Sequence, residues 1–388
     1  MQTRGDRTKH GFRRWFLSSI TCGLLSLVLA PRPELGTKAH LASGQTKPNR
    51  PEQWEKTLAE ARKEGKVVVY GPPGATVREA LTQGFEKAFP GISVGFLGGS
   101  GAAIGPRVVT ERRGGQYLVD VFVGSSVMLM NTLRPEKALD PLDQVLILPE
   151  AQEPKVWRGK RLEFSDNERR WVVMMTGYVH LEVAVNSNLV KPGDVRAFKD
   201  LLDPKWKGKI ALTDPRIIGP GQVGFTFLYH SKKLGPDYIR ALGKQEITPL
   251  RDHRLLAEGV GRGKYPIGLF PQPTQIQQVI SAGLPVHPIG KLAEGSALAT
   301  GFGGLGLANR APHPNAATVY INWLLTKDGQ TLLARGLAYA SRRLDVPTDH
   351  LPSFMVPEAN ESYFEMDHEE TLKRRDAAVA LAREIFGG

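Results

Sequence analysis

Two α/β lobes, each a mainly parallel sheet flanked by helices and joined by crossover strands, are the fold this sequence predicts. Three observations carry that expectation. Apolar strand-like runs alternate with helix-period segments over residues 52–124 and again from Gly208 onward. A β-rich stretch, Trp171 to Val185, lies between these units and suits a crossover. A chain of 388 residues also exceeds the usual size of one compact core.

The elements follow in order. Residues 43–52 are polar with Pro and Gly and read as a linker. Trp54, Leu58 and Ala61 then fall at helical spacing until Gly65 stops the turn, and the strand KVVVYG follows at once. Thr76 to Phe89 carries Val77, Ala80, Leu81, Phe85 and Ala88 on one helical face, and Pro90-Gly91 ends it before the strand ISVGFL. A Gly/Ser loop, a helix near Ile104 to Arg112 and the strand VDVFVG complete the first unit. This order builds a parallel sheet by right-handed crossovers.

The second unit holds the strand GKIALTD, a loop from Asp214 to Gln222, a helix through Phe225, Phe227, Leu228 and Tyr229, and the strand PIGLF ending at Phe270. The chain returns through GLPVHPIG, Gly283 to Gly290. Ala316, Ala317, Tyr320, Ile321, Leu324 and Leu325 repeat with helical period, a further helix starts at Lys327, and the last runs from about Glu369 to Phe386. Ligands of such sheets sit beyond the carboxyl ends of the strands. The loops leaving those ends in the first unit are Gly71 to Thr76, Gly98 to Ala102 and Gly124 to Ser126, all small and polar. Loops of this kind expose backbone N–H groups at helix N-termini, where a carboxylate, phosphate or phosphonate is favoured; tight turns need the same residues.

Composition narrows the function. Hydrophobic residues at 41% and charged residues at 23% match soluble proteins, and the body holds no apolar run able to span a bilayer. Of the net charge of +12, the first 42 residues contribute +5, and the rest is spread too thinly for a nucleic-acid surface. A basic stretch leads into the apolar run Trp15 to Ala30, a signal-peptide pattern, and FRRWFLS at Phe12 to Ser18 resembles a twin-arginine export signal. AHLAS at Ala39 to Ser43 is the better cleavage candidate. The sole cysteine, Cys22, lies in this leader, so the exported body has no disulfide or cysteine nucleophile.

Four segments match a known family in its own order: AEARKEGKVVVYG at Ala59 to Gly71, AVNSNLVKP at Ala184 to Pro192, LLDPKWKGKI at Leu201 to Ile210, and PNAATVYINWLLTKDGQ at Pro314 to Gln330. On these the chain resembles the extracellular solute-binding proteins of ABC importers, in the branch with ferric-iron, thiamine and phosphonate binders. The resemblance implies the two-lobed type II periplasmic-binding-protein fold, with solute trapped as the lobes close. It implies a periplasmic protein that hands its solute to an inner-membrane permease, with no cofactor, no nucleic-acid partner and no catalysis. The expected division is a signal peptide over 1–42, lobe one over 52–175, lobe two with hinge strands at both ends over 176–290, and a return to lobe one with C-terminal helices over 291–388. A monomer is expected.

The resemblance places Ser100 and Gly101 of lobe one, and Asp214, Gly221 and Gln222 of lobe two, at the cleft, and the loop leaving the third strand adds Ser125 and Ser126 as donors from lobe one. Tyr178 on the crossover joins them as a stacking or hydrogen-bonding candidate, with His180 beside it. Ferric-iron members close their site with adjacent tyrosines after the strand matched by PIGLF, whereas this chain reads Phe270-Pro271-Gln272-Pro273. Ferric iron prefers phenolate and carboxylate oxygens. An organic anion, or a zwitterion whose amine meets Asp214, therefore fits better than iron. A sensor subunit remains a rival reading. An enzyme is a weaker one, since no HExxH, GxSxG or Walker A pattern occurs.

Overall fold

Alternating burial along the strands is what builds the molecule. The computed structural model describes residues 52–289 and 291–387. The leader, Cys22, the cleavage candidate, nearly all of the linker and Gly290 lie outside the described residues. In chain order the first elements are α1 (Glu52–Glu64), β1 (Lys66–Gly71), α2 (Ala75–Ala88), β2 (Ser93–Gly98), α3 (Gly101–Arg113), β3 (Val121–Gly124), α4 (Ser126–Met128), β4 (Leu139–Asp140) and α5 (Pro149–Gln152). The middle of the chain forms β5 (Val173–Met174), β6 (Thr176–Val179), β7 (Val183–Asn186), β8 (Ile210–Thr213), α6 (Pro220–His230), α7 (Gly235–Gly243), β9 (Thr248–Leu250), α8 (His253–Gly261), β10 (Ile267–Leu269), α9 (Pro273–Ser281) and β11 (Val286–Ile289). The remainder is β12 (Ala297–Ala299), β13 (Gly304–Ala308), α10 (Pro314–Leu324), α11 (Lys327–Leu337), β14 (Ala340–Ser341), β15 (Phe364–Glu365) and α12 (Glu369–Phe386).

The first sheet runs β2-β1-β3-β13-β4, with β5 also on β13. Strands β1, β2 and β3 are parallel, as the crossover argument requires, while β13 returns antiparallel to β3. Val67 and Val69 point into one core with Leu81, Phe85 and Tyr320 from α2 and α10. Tyr70 and Phe122 point into the other, with Ile104, Val108 and Met128. Two covered faces explain the unbroken apolar runs of these strands.

The second sheet runs β11-β7-β10-β8-β9. Its strands β8, β9 and β10 are parallel; β7, which brings the chain in, is antiparallel to both β10 and β11, so β11, which takes it out, runs with the parallel set. Each sheet is therefore mainly parallel with one reversed strand, β13 in the first and β7 in the second, because strands of the crossover and the return pair with them directly. Phe198, Phe225, Phe227 and Phe270 fill one face, and Leu256, Val260, Ile276 and Val279 the other.

A third sheet, β14-β6-β12-β15, joins the two. It contains β6 from the expected crossover and β12 from the return. Here Arg342, almost wholly buried, binds Glu365 through both Nη atoms and donates to the Thr176 carbonyl.

Candidate functional site

The first-lobe loops touch one another. A Cβ placed on Gly98 would lie 3.1 Å from the Pro72 carbonyl oxygen, and one on Gly101 would lie 3.1 Å from Met128 Cβ and 3.8 Å from Ser125 Cβ. The segments leaving β1, β2 and β3 thus form one small, glycine-lined patch beside the N-termini of α2 and α3. Ser100 precedes α3 in extended geometry but makes no capping bond, and it is exposed. Its hydroxyl is open to a ligand. Ser125 accepts from the Met128 amide at 3.3 Å, so its oxygen is engaged as a cap. Ser126 faces inward: it is fully buried, its Oγ has no hydrogen-bond partner among the described residues, and it lies against Gly304.

The carboxyl ends of the second sheet are also tied together. Thr213 Oγ1 donates to the Phe270 carbonyl at 2.7 Å, joining the ends of β8 and β10, and the Asp214 amide donates to the Leu250 carbonyl at 2.9 Å, joining β8 and β9. The Asp214 side chain, 1% exposed, accepts from Arg216 Nε at 2.8 Å and Nη2 at 2.9 Å, and from Arg251 Nε at 3.3 Å. The Arg216 hydrogen bonds, outweighing the opposing effect of burial, hold the Asp214 carboxyl below its ordinary range. Its charge is spent within the protein. The amine-binding role expected of Asp214 is accordingly occupied by two guanidinium groups.

Helix α6 begins at Pro220, so Gly221 and Gln222 stand in its first turn rather than in the preceding loop. Gly221 is there for space: a Cβ would sit 2.0 Å from the Thr213 carbonyl oxygen. Gln222 is half-buried. Tyr178 stacks on Tyr339 with centroids 4.8 Å apart and planes 26° apart, so one face of its ring is covered. Burial raises both phenols, that of Tyr339 to about 12. His180 is 1% exposed, with Nδ1 3.2 Å from Glu182 Oε2, and is a packing residue of the crossover.

Other residues of this edge escaped the sequence reading. Arg216, Arg251, His253, Arg254, Gln272 and Gln275 stand around the ends of β8, β9 and β10, and Arg251, His253, Arg254, Gln272 and Gln275 line an open depression of about 590 Å³. The signal was present in Asp252, which caps α8 by accepting from the Arg254 and Leu255 amides, just ahead of the helical period of Leu256 and Val260. Among the described residues, no group of three His, Cys, Asp or Glu is placed to hold a metal ion, and no helix is long and apolar enough to cross a membrane.

Solved structures share this fold. A Trichodesmium protein (IdiA, FutA), in complex with iron and citrate, matches with TM-score 0.62 at 17% identity, over 84% of this chain and 100% of that one. The periplasmic binding protein AfuA from Actinobacillus pleuropneumoniae, with exogenous fructose-6-phosphate bound, matches with TM-score 0.58 at 15% identity, over 83% and 98%. Ferric iron-binding protein A of Mannheimia haemolytica, in an open conformation, matches with TM-score 0.63 at 15% identity, over 83% and 99%. No curated protein matches the sequence. The model of the family described as bacterial extracellular solute-binding protein matches residues 70–331, well over half of the sequence. With the two-lobed fold and the polar strand ends already in place, that match shows that this chain belongs to the bacterial extracellular solute-binding proteins, which serve ABC permeases by binding a small solute.

Proposed function

We propose that this protein captures a small organic anion, phosphate-, phosphonate- or thiamine-phosphate-like, outside the cytoplasm and delivers it unchanged to an ABC permease. The observation carrying this reading is the Asp214 centre. Two arginines converge on one carboxylate at the strand ends where ligands of α/β sheets bind, and one carboxylate cannot neutralise both. Opposite chemistry would be expected for a cationic solute.

Ser100, Gly101, Ser125 and Gln222 are the proposed polar contacts around the anion, and Tyr178 offers its free edge. Residues 1–42 serve as a leader of twin-arginine type, 52–175 and 176–290 as the two lobes, and 291–388 as the return and C-terminal helices. The protein acts as a monomer in the periplasm and is not an enzyme. Ferric iron is the second reading, since iron is bound by the Trichodesmium protein of the same fold. Against it, Phe270 stands fully buried where the family resemblance would require an iron-ligating tyrosine, and Tyr178 is stacked on Tyr339.

A thermal-shift screen tests the proposal, because ligands that bind only the folded state raise its Tm. Organic phosphates, phosphonates, thiamine phosphates, carboxylates and ferric iron form the panel. A shift with one organic class, and recovery of that compound chemically unchanged, supports capture. A shift with ferric iron alone supports the second reading, and conversion of the compound supports an enzyme.

A further inference from the structure

The depression at the ends of β9 and β10 has donors without acceptors. Arg251 turns Nε toward Asp214, while its Nη groups have no hydrogen-bond partner among the described residues and its side chain is 74% exposed. Arg254 is 69% exposed and lies 3.8 Å from Glu258, beyond hydrogen-bond range. The side-chain amides of Gln272 and Gln275 are unbonded among the described residues, and His253 Nδ1 is buried without a partner. Three acidic groups surround the site. Asp214 is held mainly by Arg216 and takes only Nε of Arg251, Asp252 caps α8, and Glu258 pairs with Arg254 at 3.8 Å across one turn of that helix. Beside this polar wall, Ile218 is 83% exposed, next to Gly219, where a Cβ would sit 3.7 Å from His253 Cε1.

We infer that this depression is a phosphoryl-recognition subsite, in which Arg251 and Arg254, with His253, Gln272 and Gln275, bind the phosphate group of a phosphate monoester. Ile218 covers an apolar part of the same solute. This deepens the proposed capture function and rests on it for the solute's biological role. A phosphate monoester presents three terminal oxygens in a tetrahedral array with up to two negative charges, which suits donors arriving from both strand ends and two arginines better than the planar, singly charged carboxylate. The Asp214–Arg216 clamp makes Arg216 a positioning residue: it neutralises the carboxylate, so Arg251 is steered without being consumed. Burial lowers the pKa of His253, which leaves a neutral imidazole able to donate one hydrogen bond.

The test uses inorganic phosphate as the probe, titrated into isotopically labelled protein at constant ionic strength, with acetate and chloride as controls. The NMR signals of the Arg251 and Arg254 side chains and of the His253 ring report on the subsite. Saturable shifts with phosphate and none with the controls are expected, and Arg251→Gln or Arg254→Gln should weaken phosphate by roughly tenfold or more. Both side chains are exposed, so these variants should fold. Absence of saturable shifts, an equal response to acetate, or an unchanged dissociation constant in both variants overturns the subsite. Capture and subsite fail separately. A phosphate monoester held equally well by the Arg251→Gln, Arg254→Gln double variant leaves capture standing without this subsite. Saturable phosphate shifts in a protein that no organic solute stabilises leave the subsite standing without capture.

Discussion

Asp214 shows how a residue can be legible while its role is not. Its place after the β8 strand marked it as a site residue, but the partner Arg251 lies 37 positions away and only the β8–β9 pairing brings them together. Asp214→Asn keeps the size of the side chain and removes the charge that both arginines share. It is expected to destabilise the fold by about 2 kcal/mol in urea unfolding, the usual worth of hydrogen bonds to a charged group. Glu163 carries the clearest pH prediction. Burial alone would raise its pKa, but the nearby His368, 3.3 Å away, and the hydrogen-bonded Arg161 guanidinium outweigh burial and bring it to about 2, against an ordinary 4.5. Below about 4.5 the unfolded chain takes up a proton that the folded chain refuses until about 2. Stability supplied by Glu163 is therefore full above 4.5 and lost as pH falls through that window. Glu163→Gln should show a shallower loss of stability there, measured by urea unfolding at stepped pH; parallel curves for the two proteins would contradict the assignment.

Elements with a long apolar period were readable, and short ones were not. Helix α1, strands β1 and β2, and helices α2, α10, α11 and α12 stand within a residue or two of where periodicity and the Gly and Pro stops put them. Strands β9, β12, β14 and β15 are two or three residues long, and their pairing partners rather than their own sequence make them strands. Missing β9 meant missing Arg251 and the head of α8, which is half of the second-lobe edge. The first turn of α6 has a prediction of its own. Gly221→Ala forces a methyl group against the Thr213 carbonyl, 2.0 Å away, so α6 must lift from β8. Overpacking of this kind costs about 1–3 kcal/mol, while Gln222→Ala one position later should stay within about 0.5 kcal/mol. Paired denaturation curves of the two variants check this.

At the scale of the whole molecule, α12 links the two sheets. Its first residue donates to the Ser165 carbonyl at 2.7 Å and pairs with Arg134, and Leu372 packs in the core of the first sheet. Leu381 and Ala382 pack in the core of the second. Arg216 grips the Phe386 and Gly387 carbonyls, both at 2.7 Å, so the end of the chain buttresses the same arginine that holds Asp214. Removing residues 383–388 should therefore lower solute affinity as well as Tm, and calorimetry on the truncated protein reads both. The two-lobed plan was legible because its strands are covered on both faces. The joining sheet was not, since it is assembled from four short strands far apart in the chain. Capture by closure of the lobes is tested most directly by small-angle X-ray scattering of the protein alone and saturated with the solute that stabilises it most. A fall in radius of gyration on saturation is the expected result, and an unchanged radius at full occupancy would contradict capture between moving lobes.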